Sequence, residues 1–314
     1  MPGCLFRWVR RPGCLGLIGA LGVMLTWGIM SGWPLSLQLL RFYPKKLGSA
    51  AIGWVAERSL PRWARAPLLG RFARAYSINL AEAQYPIQDY SSLQAFFTRR
   101  LKPGLRPQEA SVPGALNSPV DAQIVACGRI EKGLAIQAKG LPYPIAELLK
   151  HDSNPGRFEG GHFLTLYLSP QDYHRIHVPL EGRVTAVSRV EGELWPVNDA
   201  STTHVPRLYE RNRRATWTAT GSGMDEGLEV AVVLVGATHV GGVILEERWR
   251  EHRDLPEDGG FQVKDLPCVP GEDLGTFQFG STVVLLVAGP RAKDWIPERS
   301  SGAVKVGQRL GLFQ

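Results

Sequence analysis

Five short apolar runs after Pro113 constrain the fold more than any other feature of this chain. They are AQIVACGRI (122–130), HFLTLYL (162–168), GRVTAVSRV (182–190), LEVAVVLVGA (228–237) and STVVLLVAG (281–289). Each has strand length and is rich in β-branched residues. Clusters of Gly, Pro, Asn and Asp separate them, which is how a chain folded back on itself as a sheet is punctuated. The 35 glycines and 23 prolines argue the same way, against a bundle of long helices. With 314 residues, 44% hydrophobic and 21% charged, the chain can bury a substantial core and does not have the composition of a disordered protein. There is no repeat of fixed period and no low-complexity tract. His252–Gly260 reads as a surface loop.

The front of the chain is different. No charged residue occurs from Pro12 to Leu40, and Cys14–Trp33 is long enough for a helix to cross a hydrocarbon core. Arg7, Arg10 and Arg11 precede it, and Trp27 and Trp33 suit an interface. A cleaved signal peptide is the rival reading. The absence of a small-x-small site, and Arg41, Lys45 and Lys46 on the far side, favour a retained anchor over residues 1–34. Residues 35–110 then read as a basic amphipathic helical region. Interrupted at Pro44, it continues as PRWARAPLLGRFARAY, with arginines among Trp63, Leu68, Leu69 and Phe72. Such a face suits a lipid headgroup layer, and equally a helix packed on its own catalytic domain with its arginines in water. Ser91–Pro107 reads as a short helix followed by an extended crossing. The fold class expected is α+β: N-terminal membrane-associated helices followed by a β-rich catalytic domain at 111–314.

Charge divides the chain at the same place. Residues 1–110 hold fifteen Lys/Arg against four Asp/Glu, and residues 111–314 hold twenty-one against twenty-five. A basic front meets an anionic surface, and the adjoining apolar sequence favours lipid over nucleic acid. Cys4, Cys14, Cys127 and Cys268 form no C-x-x-C pair and no zinc spacing, which fits a reduced, cytoplasmic body. Cys14 precedes the apolar run, so it is not placed as a lipoprotein cleavage signal.

Three segments carry chemistry. SPVDA (118–122) sets Asp121 at a turn before a β run. LSPQDYHRIHVP (168–179) sets His174 and His177 just after a strand. FGST (279–282) sets Ser281 at the head of an apolar strand. Together they supply an acid, a base and a nucleophile. Serine attacks poorly until a histidine takes its proton, and a carboxylate orients and charge-balances that histidine. Spacing does not show that the three meet. The plainer readings are a turn serine and a turn-capping aspartate. His174-x-x-His177 with Asp172 is not a full metal-ligand pattern, and no metal is expected. If the segment is extended, the two histidines face opposite sides; on a helical turn they share one. His239 reads as a core histidine, Phe96 and Phe97 as core, and Tyr209–Arg214 as a solvated loop or a phosphate contact.

FFTRRLKPGLRP (96–107), SPVDA (118–122), IQAKG (136–140), YLSPQDYHRIHVPLEG (167–182), LWPVN (194–198), LVGATHVGG (234–242) and FGST (279–282) occur in the order found in phosphatidylserine decarboxylases. The chain resembles the bacterial proenzymes of that family from about Leu35 to its end. The departures are Ala122 where Gly is common, Phe279 for Leu and Pro196 for Ser. Ala122 matters only if that position needs positive φ.

The resemblance implies a proenzyme that cuts itself between Gly280 and Ser281, with Asp121 as triad acid, His177 as base and Ser281 as the self-processing serine. His174 resembles the histidine that handles protons during decarboxylation. Attack of the Ser281 hydroxyl on the Gly280 carbonyl would give an ester. Elimination and hydrolysis would then release ammonia and leave a pyruvoyl cofactor on the new N-terminus. The large chain (1–280) and small chain (281–314) would stay together. The substrate implied is phosphatidylserine in the bilayer, with phosphatidylethanolamine as product. The expected location is the cell (inner) membrane, catalytic domain on the cytoplasmic side. The partners are an anionic membrane surface and the proenzyme's own two chains, not nucleic acid; a homo-oligomer is compatible with the sequence. A membrane-anchored serine hydrolase using the same Asp/His/Ser set, and an inactive lipid-binding scaffold, are the rival functions.

Overall fold

A strand that is apolar at every position except its first two, STVVLLVA, is expected to lie in the middle of a sheet with both faces covered. In the computed structural model, Ser281–Ala288 is such a strand, and all eight of its residues are buried. The structure describes residues 37, 44–109, 112–137, 140–238, 242–251, 253–278 and 281–314. The anchor expected over 1–34, His239, Phe279 and Gly280 lie outside the described residues.

The strands that matter for the site, in chain order, are β1 (Ala122–Arg129), β2 (His162–Leu168), β3 (Arg175–His177), β4 (Gly182–Val190), β5 (Arg214–Gly221), β6 (Glu229–Val235), β7 (Val243–Leu245), β8 (Gly259–Cys268), β9 (Asp273–Phe277), β10 (Ser281–Ala288) and β11 (Gly302–Val304). Eight form an antiparallel sheet in the order β8-β4-β5-β6-β10-β2-β1-β11, and three form a small sheet, β7-β9-β3. All five runs picked out above are strands of the large sheet. β10 is hydrogen-bonded on both sides, with Thr282 opposite Val235 of β6 and Tyr167 of β2. The core continues through Trp217, Trp249 and Trp295.

Three strands of the large sheet, β5, β8 and the short β11, were not among those runs. β5 reads RATWTATG; Ala215, Trp217 and Ala219 join the core, while Thr216 and Thr218 lie buried between them. Tyr209–Arg214 is not the solvated loop expected. Leu208–Arg211 is helical, and Tyr209 and Arg214 are each 1% exposed. The Arg214 guanidinium can be buried because it donates to the carbonyls of Leu148, Glu147, Glu210 and Asn212.

The front of the described chain is helical: α1 (Lys45–Glu57), α2 (Arg62–Ala75) and α3 (Leu93–Phe97). Leu69 and Ala73 of α2 pack with Ile78, Tyr90 and Phe96. Trp63 and Leu68 face outward at 82% and 53% exposure, beside exposed Arg62, Arg71 and Arg74. Ser92 caps α3 by accepting from the Ala95 amide at 3.1 Å. These helices and the sheets belong to one compact unit, Lys45–Gln314. Among the described residues, no helix is long and apolar enough to cross a membrane.

Candidate active site

The ladder between β10 and β2 explains why the serine and the two histidines come to the same end of the sheet. Ser281, the first residue of β10, pairs with Leu168, the last residue of β2. From Leu168 the chain turns through Ser169–Asp172, where Asp172 accepts from the Ser169 amide at 2.7 Å, and enters β3 with its histidines. Ser281 is fully buried, and its Oγ has no hydrogen-bond partner among the described residues. A buried hydroxyl left unpaired is costly in a residue that serves only packing.

His177 sits on β3 in a dense set of contacts. Its Nδ1 lies 2.9 Å from the Gly271 carbonyl and its Nε2 3.3 Å from the Tyr173 hydroxyl. A carbonyl only accepts, so Nδ1 carries the proton and Nε2 presents a lone pair. Burial pushes the Tyr173 hydroxyl up to about 12, so it is the donor in its contact with Nε2. Gly271 holds φ +88°, a backbone shape that favours glycine, and a Cβ there would meet Gln108 at 3.0 Å. Burial lowers the pKa of His177, and the neighbouring carboxylate of Asp273 acts against that shift.

His174 immediately precedes β3 and is fully buried, with its ring centroid 4.0 Å from that of Phe97. Its Nδ1 bonds the Asp172 carbonyl at 2.9 Å, while Nε2 has no partner among the described residues. Burial pushes its pKa down to about 3, so the ring is neutral and Nε2 is an acceptor. Because β3 is extended, the two histidines point to opposite sides: His177 to a cavity, His174 into the core.

Asp121 lies at the turn before β1 and is 6% exposed. Its carboxylate is bound from two directions. Arg106 donates from Nε at 2.9 and 3.1 Å and from Nη2 at 2.5 Å, and the Val306 amide donates at 2.9 Å. Ala122 is an ordinary strand residue and is not among the positive-φ positions, so its methyl group is accommodated. No hydrogen bond joins Asp121 to His177. They line adjoining cavities of about 180 and 370 Å³, with Arg106 and Tyr173 contributing to both.

Two groups in this region were not singled out from the sequence. Arg99 is 4% exposed, donates to the Gln171 carbonyl at 3.3 Å, and lines the smaller cavity. Asp273 pairs with His177 across β9 and β3, its Oδ1 3.6 Å from Nδ1. Asp172, weighed in the sequence only as a metal ligand, is pushed up to about 6 by burial. Among the described residues, no group of three or more His, Cys, Asp or Glu is placed to hold a metal.

The family model for phosphatidylserine decarboxylase matches residues 93–312, a span that contains every residue just described. Curated relatives match over most of their length. The phosphatidylserine decarboxylase proenzyme of Anaeromyxobacter sp. is 40% identical over 285 residues, covering 88% of this chain and 98% of the relative. The Coxiella burnetii proenzyme is 39% identical over 285 residues, covering 87% and 96%. That of Myxococcus xanthus is 35% identical over 280 residues, covering 88% and 98%.

Proposed function

The chain belongs to the phosphatidylserine decarboxylase family, and on that premise we propose that it cuts itself between Gly280 and Ser281 and then decarboxylates phosphatidylserine to phosphatidylethanolamine. The observation that carries the reading is the buried, unpartnered hydroxyl of Ser281 at the head of the central strand. A hydroxyl that is consumed in maturation needs no permanent hydrogen-bond partner.

His177 is the base for the cut. Its Nδ1–H is fixed on the Gly271 carbonyl, leaving the Nε2 lone pair to accept the Ser281 proton once Tyr173 gives way. That proton then passes to the nitrogen released when the Gly280–Ser281 bond breaks. Asp121, the family-matched acid, keeps a negative charge beside Tyr173 while Arg106 and Val306 hold it in place. The residues present fit a pyruvoyl group at position 281, because that position is fully buried, opposite Leu168 of β2, with the next residue paired to Val235 of β6. Such a group supplies a ketone that takes up the substrate amine and accepts the electrons released as carbon dioxide leaves. His174 lies on the same segment, with a free Nε2 in a dry setting where proton transfer is not diverted to water. Its Nε2, an acceptor at rest, would take a proton from the substrate ammonium and return it to the carbon that loses the carboxylate. After the cut, residues 281–314 stay in place because their first strand is paired on both edges.

The outward Trp63 and Leu68, among exposed arginines, support a membrane-facing position for α2. With the basic front half, they favour the inner membrane, with the catalytic body on the cytoplasmic side. The test is carbon dioxide release from phosphatidylserine vesicles by the purified protein, with Ser281→Ala as the blank. Equal release from both would end this reading.

A further inference from the structure

We propose that Arg99, assisted by Lys305, holds the phosphodiester of the substrate headgroup in the smaller of the two cavities. The inference rests on the reading above that the substrate is phosphatidylserine.

Arg99 is a buried cation whose donors are mostly idle. It is 4% exposed, and its Nε and Nη1 have no hydrogen-bond partner among the described residues. Its Nη2 donates to the Gln171 carbonyl at 3.3 Å, and its guanidinium lies 5.5 Å from the centre of the Phe96 ring. Arg214 shows how this chain treats a buried arginine that serves the fold alone: four carbonyls receive its donors. Leaving a buried guanidinium less well satisfied is costly, unless a ligand completes it.

Arg99 lines the cavity of about 180 Å³, and Lys305 joins it there with its side chain 57% exposed. The other charged groups of that cavity are largely committed. Arg106 is paired with both Asp121 and Glu82, and the Lys305 ammonium lies 3.9 Å from Glu82. Asp172 accepts from the Ser169 amide, and burial pushes its pKa up to about 6, so it takes a proton readily when another anion arrives.

The cavity adjoins the reacting end of the sheet. Gln171, Asp172 and Tyr173 in its wall belong to the turn that leads from Leu168, opposite Ser281, to His174. Phe97, two residues before Arg99, packs on the His174 ring.

The serine headgroup offers two anions, and the chemistry selects the phosphate. A carboxylate loses its charge as carbon dioxide leaves, so a cation paired with it would stabilise the ground state more than the transition state. The phosphodiester keeps its charge throughout. An arginine placed there tightens binding without opposing the reaction, and its planar fork matches two phosphate oxygens. Arg99 precedes the cut and Lys305 follows it, so the two fragments build the subsite together.

The test uses the purified, processed protein in mixed micelles of a non-ionic detergent. Phosphatidylethanolamine keeps the phosphate and lacks the carboxylate, so it separates the two anions. Arg99→Gln should raise KM for phosphatidylserine about tenfold to a hundredfold. Its kcat should change little, as for an interaction made equally in ground and transition states. Binding of dihexanoyl phosphatidylethanolamine, followed by calorimetry, should weaken by a similar factor, and Arg99→Lys should recover part of both. Lys305→Gln should weaken both by roughly threefold. Cleavage into two fragments checks that each variant has folded. A raised KM with unchanged phosphatidylethanolamine binding would move Arg99 to the carboxylate. A lower kcat at unchanged KM would make it a support for Phe97 and His174. Either result overturns the assignment. If Arg99→Gln does not fold, unchanged phosphatidylethanolamine binding by Lys305→Gln overturns it alone. No carbon dioxide release by the unaltered protein would instead remove the reading on which it rests.

Discussion

Arg106 grips Asp121 side-on, its Nε 2.9 Å from one carboxylate oxygen and 3.1 Å from the other, while its Nη2 reaches on to Glu82 at 2.7 Å. Removing the arginine leaves a nearly buried carboxylate with the Val306 amide as its remaining hydrogen-bond donor. Breaking one side of such a pair typically costs about 3–5 kcal/mol. Arg106→Met should therefore lower unfolding stability by about 3 kcal/mol in urea titrations, and Asp121→Asn by less, since Arg106 then still has Glu82 as its partner. Equal stability of Arg106→Met and the parent would show that the pair is not structural.

The two histidines should separate by function. His177→Gln should remain a single uncut chain. His174→Gln should still be cut, yet decarboxylate about 10²-fold more slowly, the usual scale of a lost proton-transfer group. Gels and carbon dioxide release measure the two effects independently.

His174 also has a pH signature. Its folded pKa, near 3, lies below the ordinary 6.5, so the folded chain binds fewer protons than the unfolded one as pH falls between them. Its contribution is present at neutral pH and is lost progressively below about 6.5. Its ring resonances should stay flat from about pH 8 to about pH 5, where an ordinary histidine titrates.

Asp172 behaves in the reverse sense. Burial raises it from 3.8 to about 6, so the folded form holds a proton that the unfolded form has released. Stability falls as pH rises through that window. Asp172→Asn, which keeps an oxygen for the Ser169 amide, should add about 1–2 kcal/mol above pH 6 and nothing at about pH 3. Thermal melts at both pH values check the sign.

What could be read from the sequence was local. STVVLLVA and HFLTLYL announce themselves as strands because every position is apolar or nearly so, and Asp121, His174, His177 and Ser281 stand at the ends of such runs. RATWTATG does not, since threonines fill one of its faces and its first residue is an arginine. That arginine is buried by four carbonyls, two of them from Glu147 and Leu148, more than sixty residues away, a pairing the local sequence does not advertise. Asp273 was illegible for a similar reason. In PGEDLGTF an aspartate looks like a turn acid, and its meeting with His177 depends on the β9–β3 register and a bulge. Arg99, inside FFTRR, looks like one more member of a basic run until Phe96 and Phe97 pull its segment into the core.

The outward residues of α2 make a further claim. Burying Trp63 and Leu68 in a headgroup layer would contribute about 1.5–3 kcal/mol each. Trp63→Ser with Leu68→Ser should raise the vesicle concentration needed for half-maximal activity at least several-fold, with kcat at saturating lipid little changed. Unchanged dependence on vesicle concentration would assign that face to water.

The most direct measurement is the intact mass of the purified, active protein under denaturing conditions. The account predicts two chains, 1–280 (or a trimmed form of it) and 281–314, the smaller lighter than its unmodified peptide by the mass of one ammonia and blocked to N-terminal sequencing. A single full-length mass in fully active material, or a small chain beginning with an intact serine, would contradict it.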